Sequence, residues 1–118
     1  EGRTPHDSVL VCSNSADIHG RFGPKSNEYV VIQNGDWYGI PYGCLVPQRI
    51  DGLLLAGRCF SATSDAAGAV RVMPPCMCMG QAAGIAASLS AQQCMNPRNI
   101  QPAQVRETLR QQGAFLPD

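Results

Sequence analysis

A short apolar run followed by a long stretch of very small residues constrains the fold of this chain most. Residues 53–56 read LLLA and end at Gly57, a pattern typical of a strand that is buried on both faces. A helical stretch follows at residues 76–93, directly after Pro74 and Pro75, where proline is tolerated because the first helical N–H groups lack partners in any case. We therefore predict a central strand and then a helix.

The predicted helix is unusual because small residues recur along it at three- and four-residue spacing. These residues are Gly80, Gly84, Ala87, Ser88 and Ala91. One face is therefore almost bare, and we expect it to accept a close neighbour. The start of the helix favours an anion, a phosphate or an electron-rich carbonyl, because N–H groups and partial positive charge collect there.

The first third of the chain predicts an antiparallel sheet or meander. We expect three strands, at residues 8–13, 29–33 and 37–40. Asn34 and Gly35 both accept positive φ, so we predict a hairpin turn between the second and third of these strands. Residues 21–27 are rich in glycine, proline and polar side chains and are predicted to form a loop.

The end of the chain predicts one more helix. Pro97 breaks the small-residue helix, Pro102 opens the next helix, and Gly113 ends it. Val105 and Leu109 form its apolar stripe. The remaining charged side chains are expected to stay solvated without a binding role, namely Arg106, Glu107 and Arg110.

Length and charge bound the function classes. The 118 residues suffice for one domain at most, and nine basic side chains balance nine acidic ones. No electrostatic footprint for nucleic acid or an anionic membrane is present. No apolar run approaches the roughly 20 residues that span a bilayer. No segment resembles a signal peptide, so the default compartment is the cytoplasm, although a fragment would have lost such a segment.

The six cysteines are Cys12, Cys44, Cys59, Cys76, Cys78 and Cys94. Cys76 and Cys78 are two positions apart on the predicted helix, so their side chains point about 200° apart and cannot clasp one ion. We predict reduced structural thiols and no metal, with a disulfide framework or a metal site as the alternatives. Cys76 lies near a helix start, which can lower a thiol pKa.

Several rare motifs occur in one order along the chain. They are DSV, ADIH, IPYGCLVP, AGRCFSAT, RVMP and GQAAG. The chain resembles, from about residue 7 to residue 116, the carboxy-terminal portion of bacterial FAD-dependent oxidoreductases related to the glutathione-reductase-like flavoproteins. The resemblance implies an α/β parent with two domains, of which this portion alone is α+β, with a β-hairpin or meander followed by a strand and two helices.

The resemblance also implies domain bounds and cofactor contacts. Residues 1–48 end the substrate-side β region, residues 49–93 return to the FAD-binding domain, and residues 94–118 form a carboxy-terminal helix. It places two residues beside the ribityl and pyrophosphate part of FAD, Gly57 and Arg58. It places four others near the flavin pyrimidine edge, Arg71, Val72, Met73 and Pro74, where N–H groups stabilise charge on the reduced ring. Without the resemblance, this segment would be ordinary α/β core and its arginines surface ion-pair residues.

His19 is the candidate for proton transfer, because flavin reactions that move a hydride usually need an acid or base. Asp17 would orient its ring or cap the turn, and His19 itself would otherwise be a structural hydrogen-bonding residue. Tyr42 is a second candidate, for the substrate side, with a buried core tyrosine as the alternative.

A Gly-x-Gly-x-x-Gly turn, which seats the pyrophosphate in this class, does not occur in the sequence. We therefore expect a fragment that contributes to a flavin pocket for hydride transfer on a small organic substrate. It would need the missing amino-terminal FAD-binding region of its parent, with weak or absent FAD binding and no activity of its own. The alternative is an autonomous interaction domain without catalytic activity, whose bare helix face pairs with an identical helix in a homo-oligomer.

Overall fold

The computed structural model describes residues 3–19, 27–30, 32, 35–60 and 62–117. Four strands come first, β1 (Ser8–Cys12), β2 (Ala16–His19), β3 (Asn27–Val30) and β4 (Tyr38–Pro41). Three helices follow, α1 (Ser64–Val70), α2 (Met73–Gln92) and α3 (Pro102–Gln111), with short 3-10 helices at Tyr42–Leu45 and Pro97–Asn99. The α+β class predicted for the chain is confirmed.

The strands form two antiparallel pairs, one nested inside the other in sequence. β1 pairs with β4 and β2 pairs with β3. The predicted hairpin at Asn34 and Gly35 is therefore wrong, because β3 turns back on β2 and β4 lies beside β1. Gly35 does have a positive φ of 97°, but the turn connects two different sheets. Asn34 and residues 21–26 of the predicted loop lie outside the described residues.

The pairing follows from burial. Val9, Leu10 and Cys12 of β1 are all buried, so β1 needs an apolar partner. Ile40 of β4, 4% exposed, lies opposite Leu10 and supplies that partner. Cross-strand apolar pairs of this kind stabilise an antiparallel sheet. β1 therefore pairs with β4 although β2 and β3 lie between them in sequence.

The predicted central strand at residues 53–56 is not formed. The segment has no regular secondary structure, and the Leu55 N–H donates to the Leu45 carbonyl oxygen over 2.8 Å. Leu53 remains 41% exposed. A strand needs a neighbouring strand for its ladder, and neither of the two sheets of the described residues includes this segment. The LLLA segment therefore has the composition of a central strand, but no neighbouring strand pairs with it in the described residues.

α1 was missed by the sequence analysis although it carries a start signal. The Thr63 hydroxyl oxygen accepts from the Ala66 N–H over 3.4 Å, which is an N-cap. The helix buries Ala69 and Val70 and packs against β2. Its seven residues are too few for a periodic apolar pattern to stand out in the sequence.

α2 begins at Met73, three residues earlier than predicted, because Pro74 and Pro75 fit within the first helical turn. It ends at Gln92, and Cys94 follows with a left-handed φ of 49°. Within the part of the chain that is described, no single helix is long and apolar enough to cross a bilayer. α1 and α2 reach that length and composition only as a pair bent by 89°.

The core lies between α2, β1 and α3. The buried face of α2 is formed by Met79, Ala82, Ile85 and Ala86. Val105 and Leu109 of α3 are 0% and 2% exposed, so the predicted apolar stripe of α3 is confirmed. Pro102 opens this helix as predicted, and Gly113 follows its end with a φ of 87°.

The expectation that the arginines of α3 stay solvated is wrong. Arg106 is half-buried and donates to the carbonyl oxygens of Ser8 and Pro117, the latter over 2.7 Å. Arg110 is also half-buried and donates to the Leu116 carbonyl oxygen over 3.2 Å. The two guanidinium groups therefore tie the segment after α3, residues 114–117, to the helix and to β1.

We predict that Arg106→Met lowers the free energy of unfolding by about 2 kcal/mol, because methionine keeps an apolar stem but removes the charge-assisted bonds to two carbonyl groups. Urea unfolding followed by circular dichroism measures this change. Glu107→Ala on the exposed side of the same helix is the control and should change stability by less than about 0.5 kcal/mol. Equal effects of the two substitutions would contradict a structural role for Arg106.

Candidate flavin site

An open pocket of about 560 Å³ lies at the start of α2. It is lined by Arg58, Arg71, Val72 and Met73. The Arg58 Nε–H donates to the Arg71 carbonyl oxygen over 3.0 Å, which links two segments 13 residues apart. The structure thus brings together four of the six residues predicted to contact the cofactor.

The other two predicted cofactor residues flank this pocket in sequence. Gly57 has a φ of 84° and opens a turn in which the Phe60 N–H donates to the Gly57 carbonyl oxygen over 3.3 Å. This left-handed conformation favours glycine and turns the chain just before Arg58. Pro74 is exposed in the first turn of α2, next to Met73.

The donor groups of this pocket suit an anion. Two guanidinium groups stand at the start of a 20-residue helix whose first turn holds no acidic residue and no side-chain cap. Pro74 and Pro75 have no N–H. The backbone N–H groups of Val72 and Met73 are therefore the ones that the helix start can offer to a ligand. An anion is also what the sequence predicts for the start of this helix.

His19 is the last residue of β2, and its backbone lies opposite Asn27 of β3. α1 packs against β2, so the strand that carries His19 adjoins the helix that leads into Arg71. The side chains of His19 and Asp17 lie outside the described part of the chain. The proton-transfer role of His19 therefore stays a prediction.

Tyr42 is a buried core tyrosine, which was the alternative to a role on the substrate side. Its ring is 4% exposed, and its hydroxyl donates to the Pro97 carbonyl oxygen over 2.7 Å. Burial raises the pKa of Tyr42, which keeps the hydroxyl protonated. Tyr42 therefore joins the 3-10 helix at residues 42–45 to the one at residues 97–99 as a core residue.

The bare face of α2 is open. All five small residues named in the sequence analysis are exposed, and a Cβ built on Gly80 or Gly84 would meet no atom within 4 Å. Part of this face borders a groove of about 780 Å³, whose lining includes Leu54, Gly84, Ala87 and Ala91. The close neighbour expected for this face is therefore not supplied by the described residues.

All six cysteines lie in the described residues and carry free thiols. Cys12 is buried, and burial raises its pKa to about 12, with smaller contributions from its neighbours. Cys44 and Cys76 are half-buried, and Cys59, Cys78 and Cys94 are exposed. The free thiols agree with the predicted reduced state, but the three exposed ones do not contribute to the core. The Cys76 thiol, in the first turn of α2, faces the Val70 carbonyl oxygen at 3.8 Å.

The family model described as FAD dependent oxidoreductase matches residues 1–109 of the 118 residues. The chain belongs to this family. The match includes the four strands, α1 and α2, and therefore every predicted site residue. No curated protein and no solved structure matches the chain. Membership of the FAD dependent oxidoreductase family confirms the resemblance drawn from the ordered motifs.

We predict opposite effects of alanine at two glycines that both face open space. Gly57→Ala should destabilise the chain by about 1 kcal/mol, because its φ of 84° strains any residue with a Cβ. Gly80→Ala should stabilise it by about 0.5 to 1 kcal/mol, because α2 gains a better helix former without a clash. Thermal unfolding of the two variants measures both effects. A stabilising Gly57→Ala would contradict the strained turn before Arg58.

Proposed function

We propose that this chain is the carboxy-terminal portion of an FAD-dependent oxidoreductase and forms one wall of its flavin and pyrophosphate pocket. The observation that carries the proposal is the convergence of Arg58, Arg71, Val72 and Met73 on one pocket at the start of α2. All four are residues to which the family resemblance assigns a cofactor contact. FAD is implied for the parent by family membership.

The groups present fit FAD by charge and by donor type. The pyrophosphate of FAD carries two negative charges, and the Arg58 guanidinium is a permanent cation with planar donor geometry. Arg71 supplies a second cation, assigned to the flavin pyrimidine edge. The bond from Arg58 Nε to the Arg71 carbonyl oxygen occupies one donor of Arg58 and leaves its two terminal nitrogens to face an anion. When bound, FAD supplies hydride and electron transfer on a small organic substrate.

The remaining roles belong to residues near the same helix start. We assign the N–H groups of Val72 and Met73 to an electron-rich edge of the ring, because preorganised donors stabilise charge as it develops. We assign His19 to proton transfer with the substrate, because an imidazole exchanges protons near neutral pH. Neither role requires a metal.

A complete FAD site in this class also needs the Gly-x-Gly-x-x-Gly turn that binds the pyrophosphate. This sequence does not contain that turn. We propose that the turn belongs to another region of the parent polypeptide. We also propose that this region covers residues 53–56 and the small-residue face of α2. By itself the 118-residue chain would then bind FAD weakly or not at all and would be inactive.

A second candidate function is self-association through the bare face of α2. It is favoured by the exposure of Gly80, Gly84, Ala87, Ser88 and Ala91, since small residues let two helices approach closely. Sedimentation of the 118-residue chain separates the candidates. A dimer that Gly84→Leu abolishes supports self-association, whereas a monomer over the measured concentrations supports the flavoenzyme proposal.

We predict that the product of the full reading frame purifies with bound flavin and that Arg58→Met or Arg71→Met lowers its flavin content at least about tenfold. Arg58→Met removes a cationic partner of the pyrophosphate and Arg71→Met removes a cation near the flavin pyrimidine edge. About 1.4 kcal/mol of lost binding corresponds to a tenfold change. Absorbance near the flavin bands relative to protein absorbance measures occupancy.

Arg49→Met is the matched control, because Arg49 is exposed and does not line the pocket. It should leave the flavin content within about twofold of the unsubstituted protein, a change below about 0.5 kcal/mol. Circular dichroism establishes that each variant is folded. Unchanged flavin content in both pocket variants, with folding intact, would overturn the assignment of these arginines.

A further inference from the structure

A second cavity, of about 380 Å³, is half open to solvent. It lies between β1, α2 and the segment after α3. Its lining includes Val9, Leu10, Cys12, Trp37, Cys78 and Phe115. None of the residues assigned to the flavin pocket borders it.

An aromatic pair lines part of the cavity. The rings of Trp37 and Phe115 meet edge to face, with centroids 5.6 Å apart and planes at 82°. Leu116, the next residue, is 7% exposed, and Arg110 holds its carbonyl oxygen. Phe115 itself is 67% exposed, and its ring contacts that of Trp37.

The lining has no charged side chain. Ser13 and Gln81 supply its polar side-chain groups apart from the thiols of Cys12 and Cys78 and the indole N–H of Trp37. Burial keeps the Cys12 thiol protonated, because it raises the pKa to about 12. A charged ligand would lose part of its hydration without gaining an ionic partner, which is unfavourable. The lining therefore selects a neutral ligand.

The size and the side chains of the lining select an aromatic ring. An apolar cavity of roughly 150 Å³ is enough to bind benzene, so about 380 Å³ holds a substituted ring. The two lining rings and the two sulfur atoms offer edge-to-face and sulfur contacts that stabilise an aromatic guest beyond its area burial. We propose that this cavity binds a small neutral aromatic molecule, which enters past Phe115 and packs against Trp37.

The probe for this proposal is 4-fluorobenzyl alcohol, added to the 118-residue chain and to the product of the full reading frame. Trp37 is the single tryptophan of the 118 residues, so in that chain its emission reports directly on the cavity. The fluorine resonance of the probe reports binding from the ligand side in both proteins. We expect saturable binding in both, with a shift of Trp37 emission in the shorter chain.

Two comparisons locate the bound probe. Gln81→Phe fills the cavity from the exposed side of α2 and should weaken binding at least about tenfold, or about 1.4 kcal/mol. Gln92→Phe is the matched control, since Gln92 is also exposed on α2 but does not line the cavity, and should change binding by less than about twofold. In the unsubstituted chain, 4-fluorobenzoate should bind at least about tenfold more weakly than the alcohol.

Three results would overturn the proposal. The first is the absence of saturable binding of 4-fluorobenzyl alcohol. The second is binding of 4-fluorobenzoate as tight as that of the alcohol. Both are measured on the unsubstituted chain, so neither depends on the folding of a variant. The third is binding by the 118-residue chain but not by the longer product, because the cavity would then be a packing surface for the rest of the polypeptide. The flavin content of the longer product does not enter these outcomes, so this proposal and that of the flavin pocket fail separately.

Discussion

The structure depends on the contrast between the two faces of α2. One face carries Met79, Ala82, Ile85 and Ala86, which are buried against β1 and α3. The opposite face carries glycine, alanine and serine and meets solvent. A helix gains most of its stability from burying an apolar face, so the first face fixes the fold of this chain. The second face contributes little to that fold and is the surface on which another part of a flavoenzyme would rest.

The pocket that we propose for the flavin follows from local geometry at the start of the same helix. The turn at Gly57 redirects the chain before Arg58, and α1 then returns it to Arg71. The hydrogen bond from Arg58 Nε to the Arg71 carbonyl oxygen connects the two ends of residues 58–71. Both guanidinium groups therefore adjoin the helix start, and α1 between them is held against β2.

The features that the sequence predicted correctly are those that depend on neighbouring residues. Pro102 and Gly113 bound α3 because proline suits a helix start and glycine suits the left-handed position after its end. Pairing of strands depends instead on residues far apart, so the hairpin at Asn34 and Gly35 was wrong. The LLLA run shows the same difficulty, since its composition anticipates neighbouring strands that the described sheets do not supply. The carbonyl partners of Arg106 lie on β1 and on the segment after α3, which no pattern within α3 reveals.

For the site, chemistry alone would have left Arg58 and Arg71 as surface residues, because nothing in their spacing brings them together. The ordered motifs selected them, and the structure places them around one pocket. The cavity behind Phe115 escaped the sequence analysis because its walls come from β1, α2 and the segment after α3. Cavities between distant segments leave no periodic signal in a sequence.

The central claim is that residues 53–56 and α2 complete a larger flavin domain. Hydrogen exchange of the Leu53 to Ala56 amides, compared between the 118-residue chain and the product of the full reading frame, tests it most directly. The account predicts exchange at least about a hundredfold slower in the longer protein, because ladder bonds would protect amides that are mostly unpaired in the shorter one. Equal exchange rates in the two proteins would contradict the account.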